Sequence, residues 1–135
     1  MKSVNEAIEN LERLRSVPKF ELDESRFYPG LENESIKEKI TDLVNRCIDD
    51  FISVAMANGS EKDFQQAISK GLSYFETLGY SLDTEDRERV CGYFEEMMDA
   101  VGLESSGGIL NNWMYGFDPH QQQTKRQENQ SKEKE

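Results

Sequence analysis

Two thiols, a single imidazole and one dense run of aromatic rings are what this 135-residue chain offers to chemistry. Cys47 and Cys91 stand apart, in no C-x-x-C pair, and His120 lies near the C-terminal end. A thiol nucleophile needs a base within hydrogen-bond reach, and no histidine precedes residue 120 to supply one. Serine and threonine lack a base for the same reason. A zinc site needs clustered Cys and His, and a bundle-type di-metal site needs inward Glu-x-x-His pairs. Neither pattern occurs, so no metal or cofactor is expected. Pairs such as Glu38 with Asp42, Glu95 with Asp99 and Glu96 with Asp99 do fall at helical spacing, and they read as solvated surface carboxylates. Asp83-Thr-Glu-Asp86 lacks the spacing and closing glutamate of a calcium loop, and an N-cap cluster accounts for it. No P-loop, G-x-G-x-x-G or G-x-S-x-G is present. No catalytic residue is assigned, and the chain is not expected to be an enzyme.

The ring cluster is Ser105-Ser-Gly-Gly-Ile-Leu-Asn-Asn-Trp-Met-Tyr-Gly-Phe117, which holds the only tryptophan. Trp113, Tyr115 and Phe117 either close the end of a core or present a binding surface, since large rings dominate small cores and Trp and Tyr are favoured hot-spot residues. Asn111 and Asn112 are polar neighbours suited to a ligand or to backbone groups. A pocket between this cluster and the irregular segment 20–31, lined by Asn111, Asn112, Arg26 or Tyr28, would mark a small-ligand or enzymatic site.

Charge narrows the partners. The net charge is −11, and the tail from Asp118 is balanced, so the whole excess sits on residues 1–117. Phosphate binding needs clustered Lys and Arg, and none appears, so neither nucleic acid nor an anionic membrane is an expected partner. Solubility explains such a surface most simply, and a basic protein is the partner it would favour. No apolar N-terminal signal region or membrane-length run is visible, which leads us to expect a cytoplasmic protein with reduced thiols.

The elements that must carry these residues read as helices. Ser3 to Arg15 repeats Val4, Ala7, Ile8, Leu11 and Leu14 behind a Ser3–Glu6 capping box, and Pro18 stops it. Glu34 to Asn58 has the longest apolar stripe, with Ser35 and Glu38 as its expected box and Asn58-Gly59 as a left-handed stop. Its roughly 24 residues would make a central rod of about 36 Å. Ser60 to Leu78 and Asp83 to Val101 follow, the first running antiparallel to its predecessor after a tight reversal. Ile109 to Tyr115 predicts a last short helix. Gly71 and Gly92 interrupt two helices at about 1 kcal/mol each. Each is expected to mark a close helix contact, or a place where Trp113 or another ring meets bare backbone. Between the first two helices, Phe20, Leu22, Phe27, Tyr28 and Leu31 read as anchors of a wrapped segment, with a short strand possible around Lys19–Leu22. The expected fold is all-α: one domain over 1–117, with three long helices in a bundle plus short N- and C-terminal helices, and a disordered polar tail at 118–135.

Asn112-Trp-Met-Tyr-Gly-Phe117, after a helix ending in Val101-Gly-Leu-Glu-Ser-Ser-Gly, resembles the close of a family of small all-helical bacterial proteins of unknown function with a W-[L/M]-Y-G-F signature. The resemblance implies the fold and a bacterial origin and brings no activity. The leading expectation is therefore a small acidic protein acting by protein–protein interaction, in its most concrete form an immunity or antitoxin-like inhibitor of a basic toxin. The alternative is the ligand-binding or enzymatic site near Trp113 and segment 20–31.

Overall fold

The computed structural model describes residues 1–79 and 82–115, so the expectations for Gly116, Phe117 and the tail lie outside the described residues. Among the described residues five α-helices form: α1 (Val4–Ser16), α2 (Lys37–Met56), α3 (Glu61–Tyr74), α4 (Thr84–Val101) and α5 (Ile109–Tyr115). No strand occurs among the described residues, only an isolated antiparallel bridge between Asp23 and Tyr28. The all-α expectation holds. With 13 residues, α1 is nearly as long as the 14-residue α3, so the N-terminal helix is a full member of the bundle.

The helices close a ring. α1 packs on α2 and α4, α3 packs on α2, and α5 touches both α3 and α4. α5 thus bridges α3 and α4, while α2 also reaches α4 across the middle. Ile40, Val44, Ile48 and Phe51 from α2 lie fully inside, with Ile68 from α3 and Val90, Phe94 and Met97 from α4. At about 1.5–3 kcal/mol per large apolar side chain, this burial is what holds the ring closed.

Caps set the ends. Ser60 and Asp63 form a reciprocal capping box, and Asp83 accepts from the Asp86 N–H at 2.8 Å. The box expected at Ser35 and Glu38 does not form. Asn33 lies two residues upstream and its Oδ1 accepts from the Ser35 N–H at 3.1 Å, so the chain starts with a 3-10 turn over Glu34–Ile36 before α2. A short Asx turn competes successfully with the helical start. After α2 the left-handed residue is Asn58 (φ 52°). Gly59 is needed for space, because a Cβ there would sit 2.5 Å from a Val54 methyl. Gly102 ends α4 at φ 78°, and the Leu103 N–H reaches back to the Met98 carbonyl at 2.9 Å in a Schellman closure. The chain's own start completes this end: the Lys2 N–H donates to the Val101 carbonyl at 2.9 Å, and Asn10 donates to the Ala100 carbonyl at 3.0 Å.

The segment between α1 and α2 is pinned, but only in part as expected. Phe20, Tyr28 and Leu31 are buried, whereas Leu22 and Phe27 are exposed. A strand at Lys19–Leu22 is ruled out by Phe20, whose φ of 59° belongs to no strand. Lys19 turns inward, and its ammonium donates to the carbonyls of Leu14, Arg15 and Val17, which closes the C-terminal end of α1.

Candidate functional site

The side chains singled out from the sequence do not converge. Trp113 lines a cavity of about 600 Å³ with Phe75, Glu76, Gly79, Leu82, Arg87 and Asn112. Asn111 faces a different one of about 880 Å³, framed by Lys2, Glu95, Asp99 and the Ser105–Gly108 loop. Arg26 and Tyr28 line a third, of about 250 Å³. The convergence that would mark a small-ligand site near Trp113 and segment 20–31 is therefore not what the geometry provides. Among the described residues, no three His, Cys, Asp or Glu side chains gather as a metal would require. No helix there is long and apolar enough to cross a membrane.

Trp113 is half-buried. Its ring meets Phe75 edge-on at 6.3 Å, the Arg87 guanidinium lies 4.0 Å above it, and Arg87 also donates to its carbonyl. Both core closure and surface presentation are thus partly true of this residue. Tyr115 and Asn112 on the same helix are exposed, while Leu110 is buried against the core. Full burial would make Trp113→Ala cost about 3–5 kcal/mol. Half-burial lowers the expected cost to about 2 kcal/mol, part of it the lost cation–π contact with Arg87, read by thermal melting. An unchanged melting temperature would make the indole a surface group.

Tyr28 is a structural residue. Its hydroxyl donates to Asp86 Oδ1 at 2.9 Å, and the Glu32 N–H donates to Asp86 Oδ2 at 3.3 Å. Asp86 itself is fully buried in the first turn of α4. Burial pushes its carboxyl above the usual carboxylate range, and the two donated hydrogen bonds pull it part of the way back. One buried carboxylate therefore fastens the whole 28–32 stretch to α4. Both cysteines are buried. Burial, with help from Glu95, pushes the Cys91 thiol up to about 12, and burial raises Cys47 as well, so neither supplies a thiolate at neutral pH.

The feature missed in the sequence is Phe27. It is 91% exposed, more than any other large apolar side chain among the described residues. Asp23 and Tyr28 exchange two backbone hydrogen bonds of 2.9 Å, and Asp23 Oδ1 accepts from the Ser25 N–H at 3.0 Å. The loop so closed carries Phe27 in the left-handed region at φ 54°. Leu22, just before the other bridged residue, is 66% exposed. The signal was available only as an absence of period: no helical or alternating pattern said which rings of segment 20–31 turn inward.

The third cavity lies between this turn and α4. Arg26, Phe27 and Tyr28 form one wall, and Glu85, Glu88, Arg89, Gly92 and Glu95 the other. Arg26 is matched by Asp23 at 3.4 Å and Glu96 at 3.5 Å, and Arg89 by Glu96 at 3.5 Å. Arg89 also covers the Tyr93 ring at 3.8 Å. The arrangement can hold a cation and bury an apolar group.

A domain of unknown function, DUF4844, matches residues 2–118. The chain is also similar to a solved structure, a DUF3571 family protein from Acinetobacter baumannii, at 33% identity and a TM-score of 0.75, over 86% of this chain and 94% of that one. No curated protein matches.

Proposed function

We propose, for a chain that belongs to the DUF4844 family of domains of unknown function, that it acts without catalysis, by binding another protein. The observation that carries this reading is Phe27, an aromatic side chain 91% exposed on an acidic body. Phe27 does not stand alone, because Leu22 is 66% exposed at the base of the same turn, and aromatic residues are enriched at protein interfaces. The net charge of −11 favours a basic partner and speeds encounter with one. An immunity or antitoxin-like inhibitor that covers a basic protein is the concrete form of this proposal. Its place of action is the cytoplasm.

The test is co-purification of the tagged full chain from its native host. A basic protein should be retained at low salt and released at about 0.5 M, where surface electrostatics are screened within a few ångströms. A chain that comes through low salt with no partner overturns the reading.

A further inference from the structure

We infer that the cavity beside Phe27 is the contact point of this interaction and takes a lysine- or arginine-bearing segment of the partner, the apolar stem on the Phe27 ring and the charge on Glu85, Glu88 and Glu95. This rests on the protein-binding reading above and adds where the contact falls and what chemistry it selects. Glu85, Glu88, Gly92 and Glu95 follow one another at steps of three and four along α4, so they share one face of the helix. Arg26 and Arg89 are already matched by Asp23 and Glu96. Among the described residues Glu85, Glu88 and Glu95 enter no ion pair, and with Asp23 and Glu96 the carboxylates around the cavity outnumber its two arginines, so its charge complements an added cation.

Gly92 shapes the floor. A Cβ there would meet only Arg89 Nη1, at 3.1 Å, so no packed helix requires the glycine. Its bare backbone instead leaves a notch in the acidic face opposite Phe27. The opposite wall suits the stem of a long basic side chain, because lysine and arginine lay their methylenes on apolar surface and place their charge over a ring.

Phe27 serves the fold poorly where it stands. A left-handed φ of 54° suits glycine or asparagine, and a bulky residue there is strained. Its ring is almost wholly in solvent, so the strain is not offset by burial. Stability and binding should therefore move in opposite directions at this one position, which is the mark of a side chain kept for contact.

The experiment uses the full chain, labelled for NMR and titrated with a short synthetic peptide rich in lysine and arginine. Shift changes should concentrate on residues 22–28 and on the Glu85–Glu95 face of α4. Phe27→Gly should raise the melting temperature by a few degrees yet weaken the peptide by about tenfold or more. E88Q with E95Q should weaken it without changing the melt. Changes spread evenly over the acidic surface, or full binding by Phe27→Gly, would overturn the assignment. So would a self-associated species in sedimentation that Phe27→Gly dissolves, since the occupant would then be a second copy. The two proposals fail separately. A host protein retained equally by wild type and Phe27→Gly removes this site and leaves the binding reading. Localised peptide binding with no host protein retained leaves the site and removes the reading.

Discussion

Asp86→Ala should lower stability by about 2–4 kcal/mol, seen as a fall in the urea midpoint at unchanged slope. The carboxylate is fully buried and receives the Tyr28 hydroxyl and the Glu32 N–H, from a segment that has no regular secondary structure of its own to hold it in place. Truncation orphans both donors, and an unsatisfied buried polar group costs about 1–3 kcal/mol. Loss of a buried charge works the other way, because desolvating a carboxylate is itself unfavourable. Asp86→Asn separates the two effects. It keeps an acceptor for Tyr28 and removes the charge, so it should cost clearly less than the alanine variant. The pH dependence carries the same signature. Asp86 holds its proton more tightly folded than unfolded, so its contribution is most favourable below the unfolded value near pH 4 and is lost as pH rises through the folded value. The stability of Asp86→Asn relative to wild type should therefore rise with pH across that window and then level off. A difference that falls with pH would mean the carboxylate is stabilised by its donors more than it is penalised by burial.

That fastening shows where sequence reasoning reaches and where it stops. α2 and α4 were legible because their apolar residues recur every three or four positions and their stops are local: Asn58 after one, Gly102 after the other. The start of α2 is not legible because Asn33 and Ser35 are both good turn residues, and only the folded chain shows which oxygen wins. Lys19 carries no sequence signal, since only the folded chain brings its ammonium to the carbonyls of Leu14, Arg15 and Val17. Tyr28 and Phe27 are adjacent rings with opposite fates. What separates them is Asp86, 58 residues from Tyr28, and no periodicity encodes that partnership. The Trp113 cluster divides in the folded chain. α5 closes the ring of helices through Leu110 and the Phe75 contact, while Asn111, Asn112 and Tyr28 face separate places.

Gly71→Val should be nearly as damaging as Asp86→Ala, at about 2–4 kcal/mol, and for the opposite reason: too much volume where truncation leaves too little. A Cβ at Gly71 would lie 2.8 Å from Cys47 Sγ and 3.0 Å from Phe94 Cζ, closer than packed atoms approach. Alanine would gain about 1 kcal/mol of helix propensity over glycine and still clash. Gly71→Ala should therefore be destabilising despite its better propensity, and valine adds two methyl groups to the same gap. Gly92 supplies the control. Its only near neighbour is the movable end of Arg89, so Gly92→Ala should be neutral or stabilising by up to about 1 kcal/mol. Two glycines of equal standing in the sequence thus part company through what lies opposite them. The damage at Gly71 should also travel. Phe94 meets Phe75 at 6.5 Å, and Phe75 meets Trp113 at 6.3 Å, so a ring pushed aside at Gly71 loosens the seat of α5. Because Trp113 is the only tryptophan, its emission reports that seat directly. Gly71→Val should shift the folded-state emission to the red as well as lower the melting temperature. Cys47→Ala in the same chain should recover part of both by reopening the space beside Cys47 Sγ. A red shift without loss of stability would place α5 outside the cooperative unit. Loss of stability with unchanged emission would confine the strain to the contacts of Gly71 with Cys47 and Phe94.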